Sequence, residues 1–307
     1  MRVYSLNILH SVVLFLFYFV MRFFVLTQLI GKCIIICGKG GDAMGKFDGL
    51  LICTDWDGTL RTANGLLDND LEAIRYFQNN GGLFTVCSGR PSDFLAEYYD
   101  RVMPNTYTLA LNGALMVSPR DFHILFEGFL DERAPIILEK MLATDVPCRL
   151  IVAVHYKDKS GVKRCNIDSF EDFKSRLAKY PLYKLVFMTE DEKGIEVLKR
   201  RFEGLDAGGY IAVSSWSTSL EILYEEHSKG AAIRRLKEHT ASRLVIAVGD
   251  YENDIPMLRA ADISYAVGGA PDRVKAAADR ITVPAEEGAI THIIKELDAT
   301  LSRSACK

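Results

Sequence analysis

Two carboxylates stand one residue apart at the end of an apolar run, and they are the first candidates for chemistry. The run Leu50–Thr54 continues directly into Asp55, Trp56 and Asp57. Side chains alternate along an extended strand, so both carboxylates emerge on one side while Trp56 points the other way. Two acids placed like this can divide a reaction, one attacking as a nucleophile and the other donating and accepting protons. The same residue types also fit a simple turn.

Three further polar side chains follow predicted strands or open a predicted helix. Ser88 comes directly after the apolar run 83–87, where its hydroxyl can bind an oxyanion or cap a helix. Thr59 stands in the turn after the paired acids, where a hydroxyl and free amides can receive an anion. Lys229 begins the predicted helix 229–238, and it can neutralise an anion or remain solvated.

An acidic cluster follows another apolar run, 244–248. It contains Asp250, Glu252, Asn253 and Asp254. Hard oxygen ligands suit Mg²⁺, which takes one or two carboxylates together with phosphate oxygens and waters. Acidic residues also favour a helix N-terminus, so the cluster has a second, purely structural interpretation.

Short apolar runs alternate with amphipathic helices along most of the chain, and they must position these side chains. Such runs are typical of strands buried on both faces of a parallel sheet. The alternation predicts a doubly wound α/β domain with right-handed crossovers, in which ligands collect at the carboxyl ends of the strands. The predicted strands are Leu50–Thr54, 83–87, 109–111, 244–248, 263–267 and 281–283.

The middle of the chain has a different pattern, which predicts an inserted α+β domain over 127–213. Its flanks, 44–126 and 214–307, form the α/β core in this division. The strand candidates are 122–129, 149–155, 163–167, 184–188 and 210–214, mixed with helices over 135–143 and 170–179. Within the insertion, His155, Tyr156 and Lys184 are candidates to face a substrate, although each fits ordinary surface or core better.

Composition excludes several classes of protein. The chain has 307 residues, of which 37 are basic and 40 acidic, and the net charge of −3 leaves no basic stripe for nucleic acid. Seven cysteines without CxxC spacing argue against a zinc site. Cys53 and Cys87 lie inside strand-like apolar runs. This position predicts that they are reduced core residues, as is typical of a cytoplasmic protein.

Residues 1–43 form an apolar extension with three interpretations. Residues 11–31 are long enough to span a bilayer, but Arg22 near their middle would cost about 2.5–3.5 kcal/mol there. The stretch 38–43 can be encoded by a bacterial ribosome-binding sequence just ahead of Met44. The segment is therefore interpreted as a mis-assigned start, as a membrane anchor that leaves the catalytic domain in the cytoplasm, or as a folded part of the protein.

Four short motifs, in order and spacing, resemble motifs I–IV of the haloacid dehalogenase superfamily, most closely its Cof-type subfamily IIB phosphatases. They are Asp55-Trp-Asp57-Gly-Thr-Leu, Ser88-Gly-Arg, Lys229-Gly and Gly249-Asp250-Tyr-Glu-Asn253-Asp254. The resemblance covers essentially 47–297. It implies that the predicted core is the family's Rossmann-like catalytic core and that 127–213 is its IIB-type cap.

The resemblance also implies a role for each motif residue. Asp55 would be the nucleophile that becomes phosphorylated, and Asp57 would protonate the leaving alcohol and then activate water. Mg²⁺ would be held by Asp55, the Asp57 main-chain carbonyl and Asp250, with Asp254 in support. The residues implied to bind the phosphoryl group are Thr59, Ser88, Gly89, Lys229 and Asn253.

The function implied is a Mg²⁺-dependent phosphatase acting on small phosphorylated metabolites, such as sugar phosphates or a phosphorylated cofactor. Two alternatives remain open: a phosphomutase of sugar phosphates, and a non-catalytic binding protein on the same fold. No nucleic-acid partner and no obligate protein partner is expected. A membrane is expected only if residues 11–31 are translated.

Overall fold

The computed structural model of the chain describes residues 45–305. The interpretations of residues 1–43 fall outside that range. No helix between residues 45 and 305 is both long and apolar enough to cross a membrane.

The strands, in chain order, are β1 Leu50–Thr54, β2 Arg61–Thr62, β3 Gly65–Leu66, β4 Leu83–Val86, β5 Thr108–Ala110, β6 Leu115–Val117, β7 Ile124–Glu127, β8 Leu150–Asp158, β9 Gly161–Ile167, β10 Leu182–Thr189, β11 Tyr210–Trp216, β12 Ser219–Tyr224, β13 Leu244–Gly249, β14 Ile263–Ala266 and β15 Arg280–Ile281. The helices are α1 Asp68–Asn79, α2 Ser92–Ala96, α3 Tyr99–Val102, α4 Ala134–Leu142, α5 Phe170–Arg176, α6 Glu192–Glu203, α7 Lys229–Thr240, α8 Ile255–Ala260, α9 Asp272–Lys275 and α10 Ala289–Ala305.

The central layer is a five-stranded parallel sheet in the order β15-β14-β13-β1-β4. Every residue of β1 is buried, as expected for a strand covered on both faces. This confirms the predicted α/β class with a parallel sheet and flanking helices. Since β1, β4 and β13 are parallel neighbours, their carboxyl ends open at one edge, where Asp55, Ser88 and Asp250 follow.

The predicted strand 109–111 departs from this sheet. A single parallel bridge joins Cys87 to Leu109, but β5 then pairs antiparallel with β6 in a small sheet that also contains β7. The chain reverses because Leu111 and Asn112 adopt left-handed backbone conformations, with φ of 52° and 60°. The predicted strand 122–129 is the short β7 of this same sheet and does not join the larger antiparallel sheet.

A second five-stranded sheet, antiparallel in the order β11-β12-β10-β8-β9, forms the inserted layer. It packs with α4, α5 and α6 around a hydrophobic core of its own. The layer continues past 213, because β11 and β12 form a hairpin that pairs Tyr210 with Tyr224. Strand β12 is absent from the predicted strands, and it carries Glu221 onto the face that looks at the core.

Candidate active site

Asp55 lies at the exit of β1 and is 5% exposed. Its backbone N–H donates to the Val248 carbonyl of β13, which keeps the turn aligned with the sheet edge. Trp56 is buried in the opposite direction, as the alternation of side chains predicts. The carboxylate of Asp55 accepts a hydrogen bond from the Lys229 ammonium group.

Lys229 is the buried cation of the site. It is the first residue of α7, whose start is fixed by Ser228, because the Ser228 hydroxyl accepts from the Ala231 N–H at 3.3 Å. The Lys229 Nζ also donates to Asp254 Oδ1 at 2.6 Å. Burial alone would lower the pKa of Lys229, but the carboxylates of Asp254 and Asp55 outweigh it and raise that pKa. The lysine therefore stays charged.

Asp250 and Asp254 are held at the same edge by local bonds. The Thr59 hydroxyl donates to Asp250 Oδ1 at 3.0 Å. Asp254 Oδ2 accepts the backbone N–H groups of Asp250 at 2.9 Å and Tyr251 at 3.1 Å. Both oxygens of Asp254 are thus engaged. Gly58 is required beside Asp250, since its φ is 84° and a Cβ there would lie 2.3 Å from the Asp250 carboxylate.

The donor set fits a divalent cation. Asp55, Asp250 and Asp254 each offer a carboxylate oxygen, and these oxygens lie within 4.8 Å of one another. One ammonium group faces three carboxylates, of which Asp55 and Asp254 are buried and Asp250 is partly buried, so the cluster carries excess negative charge. Burial and the nearby Asp254 raise the pKa of Asp250 to about 7, which is the effect expected of a carboxylate without enough positive charge beside it. Oxygen ligands of this kind suit Mg²⁺.

Asp57 faces the pocket beside Arg90, an arginine with no role among the predicted site residues. Arg90 Nε donates to Asp57 Oδ2 at 2.8 Å, and its Nη2 donates to Oδ1 at 3.2 Å. Arg61 lies 3.6 Å from the same carboxylate. The forked contact fixes the plane of the Asp57 carboxyl group. The sequence feature that could have identified Arg90 as a site residue is its position in Ser88-Gly-Arg, two residues after a candidate phosphate ligand.

The structure brings most of the predicted site residues to one pocket of about 430 Å³. Three of them, Thr59, Lys229 and Asp254, lie behind it. The Thr59 hydroxyl is used by Asp250, and Lys229 reaches the site through Asp55 and Asp254. The predicted residues that line the pocket are Asp55, Asp57, Ser88, Gly89, Asp250 and Asn253.

One face of the antiparallel sheet covers this pocket, and we call this face the roof. Side chains alternate along β10, so Lys184, Val186 and Met188 share the face that looks at the core. His155 on β8 pairs with Lys184 and lies on that face, whereas Tyr156 points away and packs on Tyr180. His155 and Lys184 therefore line the pocket, whereas Tyr156 does not, because side chains alternate along a strand.

A buried polar network joins the roof to the core. Glu221 accepts from Lys184 at 2.5 Å, from Asn112 Nδ2 at 2.6 Å and from the Ser215 hydroxyl at 2.9 Å. Lys184 also donates to the Gly89 carbonyl at 2.9 Å. Burial would raise the pKa of Glu221, but Lys184 outweighs it and lowers that pKa. Glu221 is therefore an ionised, fully bonded carboxylate.

The amide of Asn253 takes part in the same network. Its Nδ2 donates to the Ser215 hydroxyl at 3.1 Å and lies 3.4 Å from Asn112 Oδ1. Asn253 thus lines the pocket and is also hydrogen-bonded to Ser215 of the antiparallel sheet.

We expect His155 to make the protein less stable in acid. Burial and the Lys184 charge lower the pKa of His155 to about 3. A histidine in the unfolded chain has a pKa near 6.5, so below that pH the unfolded state binds a proton that the folded state does not. The free energy of unfolding is therefore unaffected by this group above pH 6.5 and falls by up to about 1.4 kcal/mol per pH unit below it. Between pH 6.5 and 4.5, chemical denaturation should show that His155→Gln loses about 2 kcal/mol less unfolding free energy than wild type.

The matched control is His123→Gln, since His123 is exposed. It should follow the wild-type pH dependence. Parallel curves for wild type and His155→Gln would contradict a neutral, buried His155.

Comparison with known proteins identifies a matching family model and similar phosphatases. Residues 52–294 match the family model of haloacid dehalogenase-like hydrolases. The 5-amino-6-(5-phospho-D-ribitylamino)uracil phosphatase YitU of Bacillus subtilis is 24% identical over 263 residues, covering 80% of this chain and 96% of that protein. The putative phosphatase YxeH of the same organism is 26% identical, covering 80% and 97%.

Solved structures share the fold. A haloacid dehalogenase-like hydrolase from B. subtilis superposes with a TM-score of 0.70 at 22% identity, covering 80% of this chain and 99% of that one. The subclass IIB sugar phosphatase BT4131 gives a TM-score of 0.65 at 20% identity, covering 81% and 98%.

Proposed function

Because this chain belongs to the haloacid dehalogenase-like hydrolase family and is a phosphatase, we propose that it is of the Cof-type IIB kind. In this proposal it hydrolyses small phosphorylated metabolites in a Mg²⁺-dependent reaction through a phosphorylated Asp55. The observation that carries the proposal is the pairing of Asp55 with the buried Lys229 beside a second pocket carboxylate, Asp57. A nucleophile, a neutralising cation and an acid–base group are then present in one pocket.

In the first step a carboxylate oxygen of Asp55 attacks phosphorus, forming an O–P bond while the ester O–P bond breaks. The departing alkoxide takes a proton from Asp57, whose carboxyl plane Arg90 holds. Lys229 offsets negative charge on Asp55 and on the transferring group.

In the second step Asp57 accepts a proton from water as that water attacks phosphorus. The bond between phosphorus and Asp55 breaks, inorganic phosphate leaves, and both acids return to their starting states. The hydroxyl of Ser88 and the backbone around Gly89 line the pocket where the phosphoryl oxygens would lie.

Asp55, the Asp57 main-chain carbonyl and Asp250 would hold Mg²⁺, with Asp254 supporting them through its bonds to the Asp250 N–H and Lys229. When bound, the ion supplies positive charge that orients and polarises the phosphoryl oxygens. Thr59 keeps the Asp250 carboxylate turned toward that position.

The antiparallel layer acts in this proposal as a cap that encloses the leaving alcohol. Its roof contributes half of the pocket, including Lys184 and Glu221, and the Lys184 contact with Gly89 ties it to the phosphate end. Relatives named as a ribitylamino-uracil phosphatase and as a sugar phosphatase support a substrate among sugar phosphates or phosphorylated cofactors.

Removal of the metal should abolish turnover. Excess EDTA should stop release of phosphate from a panel of phosphorylated metabolites, and Mg²⁺ should restore it, with Ca²⁺ a poor substitute because its looser coordination misplaces the phosphate. Asp250→Asn should raise the Mg²⁺ concentration needed for half-maximal activity by more than about tenfold.

Asp145→Asn is the matched control for Asp250→Asn, because Asp145 is exposed and does not line the pocket. Undiminished activity in excess EDTA would contradict the metal-dependent proposal. Conversion of a sugar phosphate to its isomer without release of phosphate would favour the phosphomutase alternative, and binding without any turnover would favour the non-catalytic one.

A further inference from the structure

Four roof residues form a second subsite in the pocket, which we call the head-group subsite: Arg164, Met188, Trp216 and Ser219. The register brings three of them side by side, since Ser219 pairs with both Met188 and Trp216. Arg164 reaches the same place from β9, with Nη2 3.7 Å from the Met188 sulfur.

The head-group subsite lies away from the part of the roof that contacts the predicted phosphate-binding residues. Lys184 touches the Gly89 carbonyl, next to Ser88. Met188 lies four residues further along β10, which corresponds to about 13 Å of extended strand. The part of a substrate that reaches the head-group subsite is therefore the alcohol that leaves.

Trp216 supplies an open aromatic surface to the subsite. The chain has two tryptophans, and Trp56 is 1% exposed whereas Trp216 is 52% exposed. A large apolar side chain exposed inside a concave pocket is typical of a ligand contact. Its flat indole face favours a flat partner.

Arg164 supplies a positive charge that has no carboxylate partner among the residues that the structure describes. The other two cations of the pocket lining are paired, Arg90 with Asp57 and Lys184 with Glu221. Within residues 45–305, no carboxylate lies at ion-pair distance from Arg164, and its contact is the weak one to sulfur. A planar guanidinium group binds best to two oxygens in its own plane.

Resting on the proposed phosphatase function, we propose that the head-group subsite binds a flat, oxygen-bearing ring on the leaving alcohol, stacked on Trp216 and bonded through its oxygens to Arg164. The preferred substrates are then phosphate esters whose alcohol ends in a carbonyl-bearing heterocycle. Met188 and Val186, which are apolar, disfavour a purely polyhydroxylated group in this position.

The test compares uridine 5′-monophosphate with ribose 5-phosphate, which has the same phosphate and sugar but lacks the ring. Both are titrated with Mg²⁺ into full-length Asp55→Asn protein, so that binding is read without turnover. Uridine monophosphate should bind at least tenfold more tightly and should quench the fluorescence of Trp216, whereas ribose 5-phosphate should leave that fluorescence unchanged.

Arg164→Ala and Trp216→Ala, each in the Asp55→Asn background, should reduce the affinity ratio of the two ligands to within about twofold. Lys163→Ala is the matched control, since Lys163 is exposed on the same strand with the opposite orientation. It should keep both the ratio and the quenching.

Equal affinities of the two ligands, or a ratio that Arg164→Ala leaves intact, would overturn the subsite. Failure of the proposed function is a separate result, because wild-type protein would then release no phosphate from either compound. The binding ratio would still decide whether the head-group subsite exists.

Discussion

Replacing Asp55 with asparagine should reduce kcat/KM for any phosphate ester by at least about 10⁴-fold, the scale seen when a nucleophile is removed. The amide of asparagine cannot attack phosphorus, although it fills the same volume. Burial and the neighbouring Asp254 raise the pKa of Asp55, so removing its charge relieves the crowding of carboxylates and leaves the fold intact. Phosphate release and thermal unfolding should be measured on the same preparation.

Asp145→Asn makes the same chemical change at an exposed position and should keep wild-type turnover. If Asp55→Asn kept activity within tenfold of wild type while Asp145→Asn did the same, Asp55 would not be the nucleophile.

Replacing Lys229 with methionine should reduce both activity and stability. The ammonium group is fully buried between Asp55 and Asp254, so its loss leaves buried carboxylates without a cation. We expect the free energy of unfolding to fall by about 3–5 kcal/mol, as when one partner of a buried ion pair is removed. Turnover should fall by about 10³-fold or more, because the charge that offsets the phosphoryl group is gone.

Lys237→Met is the matched control on the same helix, because Lys237 makes a partly exposed ion pair with Asp262 and should cost less than about 1 kcal/mol. Adding Asp254→Asn to Lys229→Met should recover part of the lost stability without restoring turnover. Equal unfolding free energies for Lys229→Met and wild type would show that the lysine does not balance these carboxylates.

The parts of the fold that could be predicted from sequence are those that burial determines. Strand β1 is apolar at nearly every position because both its faces are covered, and such runs mark parallel strands. Asp55 and Asp250 follow strands β1 and β13, so their convergence at one sheet edge follows from topology. Lys229 could be placed at a helix start, but its burial depends on how that helix packs.

The parts that were missed depend on contacts between distant segments. The paired hydrogen bonds from Arg90 to Asp57 form only when two loops lie close together. The sequence of either loop alone does not predict where its side chains point. Strand β12 was missed because Glu221 interrupts a short apolar stretch, and that buried carboxylate is stabilised by hydrogen bonds from Lys184, Asn112 and Ser215. The position of Trp216 depends on the pairing register of its hairpin.

The most direct test of the central claim is to look for the phosphorylated intermediate on Asp55. The Asp57→Asn protein, mixed with p-nitrophenyl phosphate and Mg²⁺, should accumulate it, since this leaving group needs no proton while water activation is impaired. After acid quenching, mass spectrometry should find one added phosphoryl group on the peptide containing Asp55, and Asp55→Asn protein should show none. Release of p-nitrophenol by Asp57→Asn protein with no phosphoryl group at Asp55 would contradict the account.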